Sequence, residues 1–245
     1  MQFKLITVCV ALAFAPSAFA VETPTLDEVV VTAPMMEQPL VVKTDPRKPR
    51  QPIPAHDGAD YLKTIPGFSV IRKGGTDGDP VFRGMAGSRL NILVDGQSVL
   101  GGCNFRMDAP TAYIFPEVFD KLTVIKGPSV LYGAGNSAGA VLFERKPTQF
   151  NESGYKVHGS LTAASFGRHD EVLEAKFGNA SAYGQVTGTN SQSGDYKDGY
   201  GNAVHSAYRR YSLNGAGGLT PDADTRIELL GTYSDGHAAY ADRGM

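Results

Sequence analysis

From Gly154 onward the chain is built of near-alternating runs about ten residues long, and that pattern limits the folds open to it more than any other feature. The runs are Tyr155 to Ala164, Asp170 to Phe177, Ala182 to Ser191, Ser206 to Leu219 and Asp224 to Tyr233. In the first, Tyr155, Val157, Leu161 and Ala163 fall on one face of an extended chain, with Lys156, His158, Ser160 and Thr162 on the other. In the last, Ile227, Leu229 and Tyr233 oppose Arg226, Glu228 and Thr232. Stretches rich in Gly, Asn, Asp and Ser, such as GNAS and SGDYKDGYGNAV, separate the runs as turns. Two-faced strands of this length predict either an outer-membrane β-barrel or a soluble β-sandwich.

The N-terminus favours the barrel. MQFKLITVCVALAFAPSAFA has one positive charge at Lys4, an apolar run from Leu5 to Ala15, and Ala18-Phe19-Ala20 as a small-x-small cleavage signal. That is the layout of a secretory signal peptide over residues 1–20, with the mature chain expected to begin at Val21. The apolar run is too short to span a bilayer as a helix, and no later run is long and apolar enough. Entry into a membrane would therefore be by strands. The formal net charge of −2 gives no clustered basic face for nucleic acid.

Residues 21–57 carry Pro24, Pro34, Pro39, Pro46, Pro49, Pro52 and Pro54 and read as an extended tether. Within it Asp27, Glu28, Val29, Val30, Val31, Thr32 and Ala33 form an island of high strand propensity, suited to adding a strand to another protein's sheet. Residues 58–147 read as a compact α+β domain. A short helix is expected over Ala59 to Lys63, ending before Pro66-Gly67. Strands are expected over Arg89 to Gly96, closing on an Asp-Gly turn, over Leu122 to Lys126, and in GAVLFER. LYGAGNSAGA lacks the helix that a dinucleotide loop must open, so its glycines read as a turn needing positive φ. Asp77-Gly78-Asp79 reads as a polar turn rather than a calcium ligand set. No Ser/His/Asp constellation and no phosphate loop suggests an enzyme.

Export also leaves a chemical puzzle. Cleavage removes Cys9, so Cys103 becomes the one thiol of the mature chain. An unpaired thiol in an oxidising compartment needs a reason, and Gly101, Gly102, Asn104, Arg106 and Asp108 around it do not read as core. Met107 stands four residues on. Thiolate and thioether are soft donors that favour Cu(I), and ligands four apart can face one ion across a helical turn or from a folded loop.

The order of tether, compact domain and strands resembles the TonB-dependent outer-membrane receptors. The resemblance is carried by DEVVVTA, IPGFSV (Ile65–Val70), FRGM (Phe82–Met85), RLNILVDG and FDKLTVIKGPSVLYGAGNSAGAVLFERK (Phe119–Lys146). It implies an α+β plug domain followed by the first strands of a 22-stranded antiparallel transmembrane β-barrel, of which this chain would be an N-terminal part. Residues 148–245 would begin the barrel. Asp27 to Ala33 would be the TonB box, with TonB and its ExbB/ExbD energy-coupling complex as partners and outer-membrane lipid as surroundings. GGCNFRMDAPTAYIFPE further resembles the copper-receptor branch, which implies copper as cargo, with Cys103 and Met107 as plug ligands. That branch completes its site with a His-x-Met pair. None of His56, His158, His169, His205 and His237 has methionine at plus two, so such a pair would lie beyond Met245 or the site would differ. A ferric siderophore or cobalamin as cargo, and a soluble exported metal-binding or redox protein, are the alternative readings.

Overall fold

The computed structural model describes residues 40–239 except 73, 77, 104–105, 133–135 and 223. The signal segment and the box Asp27–Ala33 lie outside the described residues. Among the described residues fourteen strands and one α-helix follow in the order β1 (Val41–Thr44), α1 (Gly58–Leu62), β2 (Phe68–Arg72), β3 (Gly78–Phe82), β4 (Leu90–Val94), β5 (Gln97–Ser98), β6 (Lys121–Lys126), β7 (Gly139–Glu144), β8 (Gly154–Ala164), β9 (Arg168–Gly178), β10 (Ala182–Ser193), β11 (Tyr196–Lys197), β12 (Ala203–Val204), β13 (Tyr208–Leu219) and β14 (Ile227–Ala238).

The first half is organised by a five-stranded sheet in the order β1-β6-β7-β4-β5. Its pairs are antiparallel except β4 with β7. Leu90, Ile92, Leu122, Val124, Val141 and Phe143 come from its strands to one buried cluster, joined by Leu62, Ile65 and Phe82 from outside the sheet. The Asp95-Gly96 turn has φ of 47° and 82°, both left-handed, as a two-residue hairpin between right-twisted strands requires. The Asp95 carboxylate then accepts from the Arg145 backbone N–H at 2.8 Å and from its guanidinium, tying the hairpin to the chain leaving β7.

Helix α1 begins because Asp57 caps it: its carboxylate accepts from the Asp60 N–H at 2.7 Å. It ends ahead of Pro66, whose missing N–H and ring bar continuation. β1 lies inside the stretch that reads as a tether. Val42 is buried against the core and the strand pairs with β6 from Val41↔Ile125 to Thr44↔Leu122, because four residues of strand propensity find an open sheet edge there. The surrounding prolines hide it from inspection of the sequence. A second difference concerns Asp77-Gly78-Asp79. Gly78 and Asp79 belong to β3, which pairs with β2, and Asp79 is buried with a charged partner rather than exposed in a turn.

The second half is a five-stranded antiparallel sheet in the order β14-β13-β10-β9-β8, with β11 and β12 as a small hairpin between β10 and β13. Its strands are 11 or 12 residues long and match the five alternating runs. Tyr155, Val157, Leu161, Leu173, Phe177, Val186, Leu213, Leu229 and Tyr233 are exposed on one face. The other face is polar and turned to the first half. Outward apolar and inward polar residues on a strand set of this length are the barrel pattern, not the sandwich one. No helix among the described residues is long and apolar enough to cross a membrane.

The two halves meet across charge. Arg47 reaches Glu174 at 3.0 Å and Asp120 at 3.3 Å, while Lys176 lies 3.4 Å from Glu174. Gln185 bridges Glu174 and Thr148, each at 3.0 Å. Further along the same seam, Arg168 donates to the Pro54 carbonyl at 2.7 Å and Arg210 to the His56 carbonyl at 2.6 Å. The His56 ring stacks on Tyr208.

Candidate functional site

The loop between β5 and the Pro110–Tyr113 turn carries Cys103 and Met107. Two glycines set its path. A Cβ at Gly101 would stand 2.2 Å from the Asp108 carbonyl oxygen, and one at Gly102 would stand 2.4 Å from the Asp108 carboxylate. Only glycine lets the outgoing chain lie this close to the returning one.

Between these two limbs the backbone folds back on itself. The Arg106 N–H donates to the Cys103 carbonyl at 2.9 Å, closing a tight turn, and Arg106 takes φ of 58°. A left-handed residue with a long side chain is held there by its surroundings. The holding group is Asp79: Arg106 Nε meets one carboxylate oxygen at 3.0 Å and Nη2 the other at 2.6 Å. Such a fork-on-fork pair fixes orientation as well as distance. The loop's exit is pinned by Tyr113, whose hydroxyl donates to the Asp108 carboxylate, and by Thr111, whose hydroxyl donates to the Gly78 carbonyl at 2.6 Å.

Cys103 therefore opens the turn and Met107 follows its closing residue. Cys103 is half-buried and has no disulfide partner among the described residues; Met107 is 42% exposed. Cys103 and Met107 both stand on this irregular loop and not on a helix. Among the described residues no group of three or more His, Cys, Asp or Glu side chains could hold a metal ion. Two sulfur donors leave the remaining positions of any ion to other ligands.

Beside the loop, Asp108, Tyr113, Arg209, Ser234 and His237 line a cleft of about 150 Å³ between the first half and the tops of β13 and β14. The clamp residues Asp79 and Arg106 are not identifiable from the sequence as partners. They lie 27 residues apart with no periodicity linking them, Asp79 on β3 and Arg106 on the loop after β5.

The ionisable network next to this region is centred on His56. Its Nε2 lies 2.8 Å from the Gly75 carbonyl and 3.3 Å from Asp57, with Asp60 and Arg72 nearby. Burial pushes its pKa below the ordinary histidine value, against the pull of Asp57. Asp60 moves down as well: burial acts to raise it, but its bond to Lys63 and the charges of His56 and Arg72 outweigh that.

Comparison with known proteins places these features. Residues 35–140 match the family model described as the TonB-dependent Receptor Plug Domain. The solved structure of the copper transporter OprC is similar at 58% identity and a TM-score of 0.84, over 88% of this chain and 33% of that one. The vitamin B12 transporter BtuB of Vibrio vulnificus (strain CMCP6) is 31% identical over 75% of this chain and 30% of its own length. The ferric enterobactin receptor of Pseudomonas aeruginosa shares the fold, at 16% identity and a TM-score of 0.63 over 83% of this chain and 34% of that one. The chain thus spans about a third of the length of these relatives.

Proposed function

This chain belongs to the TonB-dependent outer-membrane receptors, and from that membership we propose that it forms the plug and first barrel strands of a receptor that imports copper. Its family consists of receptors and transporters, not enzymes. The observation that carries the copper reading is the Cys103-x-x-x-Met107 pair on a doubly pinned turn, in a chain 58% identical to the copper transporter OprC.

Cys103 binds as thiolate and supplies the charge and the stronger bond; Met107 adds a neutral thioether. Oxygen ligands of water or chelates exchange for these two sulfurs, which prefer Cu(I) to harder cations. Ligands from elsewhere in the receptor complete the shell. Energy arrives through Asp27–Ala33, which adds a strand to TonB, itself driven by ExbB/ExbD in the inner membrane. The prolines from Pro34 to Pro39 give the box reach into the periplasm.

A metal chelate such as cobalamin is the second reading, favoured by the 31% identity to BtuB. Titration of the purified full-length receptor separates the two. Saturable binding of one Cu(I) in competition with a chelator, with no uptake of cobalamin or a ferric siderophore from solution, is the expected result. Tight cobalamin or siderophore binding without copper binding would overturn the copper reading.

A further inference from the structure

The outward face of the second sheet carries no charged side chain until its last two cross-strand rows. Strand pairing sets His169, Gln192, Arg209 and His237 side by side as the last row. Glu171, Asn190, Tyr211 and Asp235 form the row before it. The exposed apolar residues occupy the rest of the face, down to Leu219 and Ile227. Arg209 and Leu219 stand near opposite ends of the 12-residue β13, about 33 Å apart along the strand. At the tilt of about 40° usual for membrane strands, that is about 25 Å of height, the span of the lipid-covered band. The charged end is the outer one. Residues 194–207, which hold the hairpin β11–β12, join β10 to β13 there, while residues 179–181 close β9 to β10 at the opposite end. Such barrels carry longer loops outside and short turns on the periplasmic side.

The β8–β9 turn at that outer end departs from what its backbone favours. Phe166 and Gly167 take φ of 62° and 68°, and the Arg168 N–H donates across them to the Ser165 carbonyl at 3.4 Å. Asparagine before glycine is the preferred pair in such a turn, and a bulky ring there is costly. Burial does not offset that cost among the described residues. Phe166 is 51% exposed, with its ring edge-on to Tyr196 at 6.4 Å.

We infer that this outer rim binds a phosphorylated glycolipid of the outer leaflet, with Arg209 on a headgroup phosphate and Phe166 and Tyr196 against a sugar ring. The inference rests on membership of the receptor family and not on the copper reading. Arg209 has no ion-pair partner among the described residues. At the edge of the hydrocarbon its guanidinium matches a phosphate through two parallel hydrogen bonds. Glu171 and Asp235, one row deeper, repel a phosphate and so fix its depth at Arg209. Both are engaged within their own row, Glu171 with Asn190 at 3.5 Å and Asp235 with the Tyr211 hydroxyl. A sugar ring presents C–H faces that lie flat on aromatic rings; a phosphoglycerol headgroup presents none. The apolar face is continuous with the rim, so one lipid molecule covers both with its acyl chains and its headgroup.

The test takes the full-length receptor, extracted from its outer membrane in mild detergent, and measures phosphorylated glycolipid carried per molecule by native mass spectrometry. Arg209→Gln should lower that amount about tenfold. Phe166→Asn should lower it about threefold while its melting temperature stays level or rises, because asparagine suits the turn and the ring serves the lipid rather than the fold. Delipidated wild type should bind lipid A at least tenfold more tightly than phosphatidylglycerol. Wild-type retention in Arg209→Gln overturns the inference, and so does equal affinity for the two lipids. A lowered melting temperature in Phe166→Asn with lipid retention unchanged overturns it as well, and returns the ring to the fold. No copper enters these measurements, so their failure leaves the copper reading standing.

Discussion

Arg106 grips Asp79 with two nitrogens, at 3.0 and 2.6 Å, while its own backbone N–H closes the turn on the Cys103 carbonyl. One residue thereby links the β2–β3 hairpin to the loop that carries both candidate sulfur donors. Asp79 is 4% exposed, so replacing it leaves the guanidinium facing a polar group without its charge. Asp79→Asn should cost about 2 kcal/mol of stability, less than a fully buried pair because Arg106 keeps some solvent. It should also weaken Cu(I) binding about tenfold, since 1.4 kcal/mol of lost preorganisation is one decade. Chelator competition on the full-length receptor reads the second effect, and chemical denaturation reads the first.

The limbs of the loop permit a complementary change. Gly101→Ala would bring a methyl group within 2.2 Å of a backbone oxygen, which cannot swing aside. The turn must open, and copper affinity should fall at least as far as in Asp79→Asn although both sulfurs remain. Gly96→Ala serves as the comparison. It sits in a turn at a φ of 82°, has nothing within 4 Å of its Cβ position and lies away from the loop. Copper affinity in that variant should stay within twofold of wild type.

His56 gives the plug a pH dependence of definite sign. Burial lowers its folded-state pKa, so below about pH 6.5 the unfolded chain takes up a proton that the folded chain does not. Stability should therefore fall as pH drops through 6.5, by up to about 1.4 kcal/mol per pH unit, and level off below the folded pKa. Asp60, whose folded pKa is also depressed, adds a further loss only at more acid pH. Asp57, Arg72 and Arg168 face the ring and should be unaltered in the test variant. Thermal melts of wild type and His56→Gln across pH 5 to 8 should diverge near pH 6.5; parallel curves would show that His56 does not set this slope.

Energy coupling is tested at a residue remote from the site. Val30→Pro removes a backbone N–H from Asp27–Ala33 and bars the strand pairing that the coupling reading requires. Uptake should stop while copper binding is unchanged. Scrambling residues 34–39 at constant length should matter little if that stretch serves only as reach. Undiminished uptake in Val30→Pro would remove the box from the mechanism.

The strands were legible in the sequence where side-chain alternation reports a face. Tyr155 through Ala163 and Ile227 through Tyr233 divide between two faces as expected, because every strand there has one apolar and one polar side. Helix α1 was legible from Pro66-Gly67 at its end, and the Asp95-Gly96 turn from its residue pair alone. β1 was not, because its four residues gain strand character from β6, eighty positions away in the chain, amid prolines that signal a tether. Asp79 misled for a related reason: acidic residues around a glycine signal a turn unless a distant arginine neutralises them. The sulfur pair was visible as a motif, but the clamp that steadies it depends on tertiary contact and leaves no local mark.

The central claim is that Cys103 is kept as a copper ligand. Cys103→Ser tests it most directly, because serine keeps the size of the side chain and replaces a soft, ionisable donor with a hard, protonated one. Copper per molecule of purified full-length receptor should drop to near zero in Cys103→Ser and fall only partly in Met107→Ala. A serine variant that holds as much copper as the wild type would contradict the account and return Cys103 to the role of a structural thiol.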